Sequence, residues 1–194
     1  SRLWVSHFEG NANAFRILTH QFKGRRKGGF VMTYSMLASI VKYPFASQLA
    51  GSHGKFGFFT LEKDSYQKVA DELGIFCKSK PGEPLRYARH PLVYMVEAAD
   101  DICYEIMDIE DSHKLKILSY EETERLLLGF FDKETQNKIK ERIKEEGVTD
   151  ENEKVVYMRA SAIGRLENEC VTAFLEHEKE ILAGTFEGSL IDHI

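Results

Sequence analysis

Glu97, Asp100, Asp101, Tyr104 and Asp108 fall in one short stretch near the middle of the chain. On an α-helix turning about 100° per residue, with Asp100 at zero, Tyr104 sits at about +40° and Asp108 at about +80°. These three residues share one face on adjoining turns. Glu97 and Asp101, at about +60° and +100°, widen the face into an acidic stripe. Leu92, Val96, Ala99, Cys103, Ile106 and Met107 occupy an arc from about −20° to −120° and form the expected core face. Asp100 is then the acid at the border, where a carboxylate is partly desolvated. Such a group must be paired, protonated or bound to a metal. The alternative reading is an amphipathic helix with a solvated charged face.

Other side chains with chemical potential lie on either side. His7 and Glu9 precede a plausible helix start at Gly10-Asn11, and could do acid–base or metal work or simply cap the helix. Lys23, Arg25, Arg26 and Lys27 are interleaved with glycines in a loop that could take phosphate or remain a surface loop. Lys42-Tyr43-Pro44 puts a cation at a helix end, an ordinary arrangement for the helix dipole. Arg86, Arg89 and His90 stand just before the acidic helix, where they could clamp phosphates or offset its acids. No Walker loop, Rossmann glycine pattern, HExxH or GxSxG occurs.

The elements that must position these residues are helical. Apolar spacing predicts helices over 11–22, 33–42, 62–73, 121–131, 133–146 and 152–182. The strongest runs from Pro91 to about Asp111, with proline suitably in the first turn. Gly74, Gly147 and Gly184 read as helix stops. Strand signals are confined to 29–32 and 56–59, enough for at most one small β-hairpin. The expected class is all-α.

Composition sets bounds on function. The 194 residues carry 26 Lys+Arg against 31 Asp+Glu, a formal net charge of −5. That balance excludes a nucleic-acid coat, because no global positive field exists to release counterions from a phosphate backbone. Any anion site must be local. Three scattered cysteines, Cys77, Cys103 and Cys170, form no CxxC pair, so reduced thiols in a cytoplasmic protein are expected rather than a cysteine zinc site. No signal segment or membrane-length apolar run is present in the sequence. The first residue is Ser1 and not methionine, which suggests an interior piece of a longer chain. Spacing alone leaves two contenders: a metal-dependent phosphate enzyme and a helical interaction module.

Two segments, His7-Phe-Glu-Gly-Asn-Ala-Asn-Ala-Phe-Arg-Ile-Leu18 and Arg89-His-Pro-Leu-Val-Tyr-Met-Val-Glu-Ala-Ala-Asp-Asp-Ile-Cys-Tyr104, closely resemble bacterial deoxyguanosinetriphosphate triphosphohydrolases of the HD-domain superfamily. The segments from Thr33 to Pro44 and from Ile106 to Asp111 look like the same family. The resemblance implies an HD-domain-like helical bundle, here partial, with active-site-proximal helices over 1–130 and a helical extension over 131–194. It implies hydrolysis of a deoxynucleoside triphosphate, dGTP favoured, to deoxynucleoside and triphosphate with a divalent metal, Mg²⁺ or Mn²⁺. It makes Asp100 a metal ligand, packs Tyr104 on the sugar and gives Asp108 the 3′-hydroxyl. Lys42 and Tyr43 match a motif of the triphosphate side, and His7 a histidine near the catalytic groups. A homo-oligomer and a nucleotide or single-stranded DNA effector are also implied, and no membrane.

One departure is large. No His-Asp dipeptide occurs in the 194 residues, whereas the family's metal site uses a histidine, a His-Asp pair and a later aspartate. The resemblance therefore implies an internal portion of an enzyme that supplies one wall of a pocket. The competing expectation is a catalytically inactive relative that binds nucleotides or forms oligomers.

Overall fold

The computed structural model describes residues 8–24 and 29–194. Helices α1 (Gly10–Thr19), α2 (Tyr34–Ser39), α3 (Lys63–Leu73), α4 (Pro91–Lys114), α5 (Tyr120–Leu128), α6 (Lys133–Glu145), α7 (Glu151–Glu176) and α8 (Glu178–Ala183) account for the regular structure. Extended pairing among the described residues is limited to isolated bridges, Phe45 with Arg86, Ala46 with Phe58 and Cys77 with Tyr87. The class is all-α, as the periodicity predicts. Residues 29–32 form no strand, and of the 56–59 stretch only Phe58 is bridged. No helix among the described residues is long and apolar enough to cross a membrane.

The helix ends follow local chemistry. Thr33 caps α2 by accepting from the Met36 amide, and Asp132 caps α6 by accepting from Thr135. Ser119 and Glu122 form a reciprocal capping box at the start of α5. Gly74 ends α3 at φ +64°, a left-handed conformation that glycine adopts without steric cost. The helix expected over 152–182 is broken at His177 into α7 and α8.

The chain divides into two compact units, and the division falls inside α4. The first holds the residues up to Glu97 together with Glu176–Gly188. Its core joins Phe15 of α1, Leu37, Ala38 and Val41 around α2, Phe58, and Tyr66, Val69 and Ala70 of α3. Tyr66 stacks on Phe58 at 4.6 Å and meets Phe15 and Tyr87 edge-on. The second unit holds Ala98–Leu175 and Ser189–Ile194. Its buried residues include Ile102 and Ile106 of α4, Leu127 and Leu128 of α5, Ile139 and Ile143 of α6, and Val155, Met158 and Ala162 of α7.

α4 is buried on a different side from the one the sequence predicts. Its inward row is Tyr94, Ala98, Ile102 and Ile106, at four-residue spacing, while Leu92, Val96, Ala99 and Cys103 are exposed. Asp100 is consequently exposed as well, not held at a desolvated border. The helix carries apolar side chains on two sides, and one sequence cannot say which side the rest of the fold covers.

Candidate functional site

The turn 42–47 runs into a short 3-10 helix, Ser47–Leu49, and its backbone is fixed from both sides. Tyr87 donates its amide to the Pro44 carbonyl at 2.8 Å, and Ala46 donates to Leu85 at 3.0 Å. From the other side Gly57 donates to Phe45 at 3.0 Å and Ser47 to Phe58 at 3.2 Å. The approach at Gly57 is so close that a Cβ there would overlap the Tyr43 carbonyl and the Val41 side chain. Glycine is required by that contact, not by its φ. The turn so held presents Lys42 and Tyr43, both half-buried.

Lys42, Arg89 and Glu97 close a ring. The Lys42 ammonium lies 2.8 Å from one oxygen of Glu97, and Arg89 donates to the other at 2.9 Å. The Arg89 Nε–H donates in turn to the Lys42 carbonyl at 3.0 Å, and Nη1 also reaches the Gly188 carbonyl at 3.0 Å. The Glu97 side chain is only 6% exposed, whereas Lys42 retains 31% and Arg89 21%. A buried carboxylate with two cations satisfies the pairing that burial demands. Two cations on one carboxylate leave a local excess of one positive charge. The Lys55 ammonium, itself paired with Glu9 at 3.7 Å, lies 5.8 Å from the Tyr43 ring centroid, with Lys42 at 6.0 Å from the same ring. In an acidic chain this is a place where an anion is favoured.

The acidic row on α4 is built differently. Asp100, Tyr104 and Asp108 are exposed, Tyr104 to 72%, and no hydrogen bond or ion pair engages their side chains among the described residues. Three functional groups at successive turns, i, i+4 and i+8, are therefore free to meet a ligand. Asp100 does not by itself make a metal centre. No group of three or more histidines, cysteines, aspartates or glutamates is placed to hold a metal among the described residues. The side chains among the described residues could supply one ligand of a metal site and not a whole one.

The remaining candidates have plain structural occupations. Glu9 is the cap of α1, accepting from the Ala12 amide and the Asn11 side chain at 3.0 Å each, with Lys55 at 3.7 Å. His7 lies outside the described residues, as do Arg25, Arg26 and Lys27. Arg86 covers the Phe45 ring at 4.7 Å. His90 accepts a hydrogen bond from the Leu92 amide on Nδ1, which assigns the ring proton to Nε2, and desolvation holds its pKa below the ordinary imidazole value. Of the trio before α4, Arg89 alone engages an acid of that helix, and that acid is Glu97. Reading Glu97 as part of a solvated stripe misses its role. Glu97 lies beside Tyr94 and Ala98 on the inward row, a placement that the sequence leaves open because α4 is apolar on two sides.

No family model matches the chain. Curated proteins do. A deoxyguanosinetriphosphate triphosphohydrolase-like protein of Pseudomonas aeruginosa is 37% identical over 97% of this chain and 42% of its own length. A protein of the same description from Synechocystis is 38% identical over 95% of the chain and 42% of its own length. A deoxyguanosinetriphosphate triphosphohydrolase of Yersinia enterocolitica is 28% identical over 97% of the chain and 38% of its own length. These proteins are homologues of this chain, which spans about two fifths of the length of each.

Proposed function

We propose that the intact protein hydrolyses a deoxynucleoside triphosphate, dGTP in the first instance, to deoxynucleoside and inorganic triphosphate. The observation that carries this reading is the unengaged row Asp100, Tyr104 and Asp108, in a chain 37% identical to a triphosphohydrolase-like relative. Tyr104 packs on the deoxyribose, where an aromatic face leaves little room for a 2′-hydroxyl. Asp108, an acceptor when ionised, takes the hydrogen bond of the 3′-hydroxyl. Lys42 and Tyr43 meet the triphosphate, whose charge the cations around Tyr43 offset. Asp100 serves as one ligand of a divalent metal, Mg²⁺ or Mn²⁺, whose remaining ligands are not among the described residues. A homo-oligomer and a nucleotide or single-stranded DNA effector belong to the same reading.

The test is triphosphate release from each dNTP by the intact protein with Mg²⁺ or Mn²⁺, separated by anion exchange. Release from dGTP in the wild type and its abolition by Asp100→Ala is the expected result. No release from any dNTP removes the reading, and undiminished release by Asp100→Ala removes the ligand assignment.

A further inference from the structure

We infer that Glu97 is a positioning residue that fixes the Lys42 ammonium for a polyphosphate, with Arg89 as its brace. The inference rests on the proposed role of Lys42 in meeting the triphosphate. It goes further by assigning function to a buried acid and an arginine that touch no substrate.

The argument begins with the lysine. A lysine ammonium rides on a flexible four-carbon stem and carries about 2 kcal/mol of rotamer entropy. A site that relies on it gains when that freedom is removed before the anion arrives. Here Lys42 is held at both ends. Its carbonyl accepts from Arg89 at 3.0 Å, and its ammonium lies 2.8 Å from Glu97. Glu97 cannot swing, because it sits on α4, is 6% exposed, and gives its other oxygen to Arg89. Arg89 is held in turn by the Gly188 carbonyl and lies 5.3 Å from the Tyr94 ring centroid. The ammonium carries three protons and meets Glu97 with one of them.

Positioning and simple electrostatics make opposite predictions here. Glu97→Gln removes a negative charge beside an anion site, so electrostatics alone would tighten polyphosphate binding. Loss of a charge-assisted anchor frees the lysine and weakens it. A purely structural role lowers stability and leaves the affinity of the folded protein unchanged.

The experiment measures inorganic triphosphate binding to the intact protein by calorimetry, in wild type, Glu97→Gln, Lys42→Met and the double variant. Thermal melts report the folded fraction of each. The expected result is weakening by about tenfold in Glu97→Gln, with no further loss when it is added to Lys42→Met. Arg89→Lys keeps the cation but loses the fork, and should behave likewise, which covers the case that Glu97→Gln does not fold. Tighter or unchanged binding in Glu97→Gln, an equal loss in the Lys42→Met background, or no triphosphate binding by the wild type overturns the inference. Nucleotide hydrolysis is scored separately. Coupled triphosphate binding without dNTP cleavage leaves the positioning role standing and removes the hydrolase reading. Cleavage with additive variants does the reverse.

Discussion

Two buried glutamates on α4 each carry a lysine and an arginine, and they do so to different ends. Glu97 gathers Lys42 from the 42–47 turn and Arg89 from the segment before the helix. Glu110 takes Lys114 from one turn along its own helix, at 2.7 Å, and Arg159 from α7. At Glu110 one cation is local and 53% exposed, so the pair that matters ties two helices together. At Glu97 both partners are brought from outside the helix, and one of them has its backbone clamped by the other. The same three charges make a staple in one unit and a poised cation in the other. What separates them is where the partners come from in the chain, not the chemistry of the contact.

The sharpest way to break this comparison is to remove the staple. Glu110→Ala leaves Arg159 without its carboxylate and should cost about 3 kcal/mol in a urea melt. Triphosphate affinity of the folded protein should stay at the wild-type value. A parallel loss of affinity would mean that the two clusters are not separate devices.

Next in size is the backbone of the cationic turn. Gly57→Ala forces the Tyr43 carbonyl and Val41 to move, and should cost about 2 kcal/mol. Here, unlike Glu110→Ala, triphosphate affinity should fall too, because the displaced carbonyl adjoins Lys42. Destabilisation with unchanged affinity would show that the Lys42 ammonium does not depend on the turn.

The smallest effect concerns pH, and it adds a third carboxylate as contrast. Burial pushes the Glu110 carboxyl up, but the hydrogen bonds from Lys114 and Arg159 outweigh it and set its pKa below the ordinary carboxylate value. Its stabilising contribution is therefore present above the unfolded carboxylate range and is lost as pH falls through the folded value. Glu62 is the opposite case. Burial holds its pKa up, Arg16 offsets this only in part from 3.7 Å, and one oxygen has no hydrogen-bond partner among the described residues. Its contribution is fully present below the unfolded range and is lost as pH rises through the folded value. Urea midpoints across the acid range should show Glu110→Gln losing stability at neutral pH and converging on wild type in acid. Glu62→Gln should gain at neutral pH and converge in acid from the other side. Shifts of the same sign would refute the assignment of staple and unrelieved acid.

The helices were legible in the sequence where their signals are local. Gly74, Pro91 and Gly184 mark ends that the structure keeps, because caps and stops act within a few residues. The break at His177 was not legible, since neither glycine nor proline marks it. The row Asp100, Tyr104 and Asp108 could be read because helical spacing alone puts its members on one face. The buried side of α4 could not, because two of its sides are apolar and the choice depends on distant segments. For the same reason the ring escaped notice. Lys42 and Arg89 are 47 residues apart, and their meeting depends on backbone bonds between the 43–47 and 85–87 segments.

The bond from Arg89 to the Gly188 carbonyl spans 99 residues. Tyr94, packed under the same guanidinium, sends its hydroxyl to the Phe186 carbonyl at 3.0 Å. Two successive anchors of the cationic turn thus terminate on the segment that follows α8. That segment is a tether: an event that lifted it would slacken the grip on Arg89 first and reach Lys42 one link later.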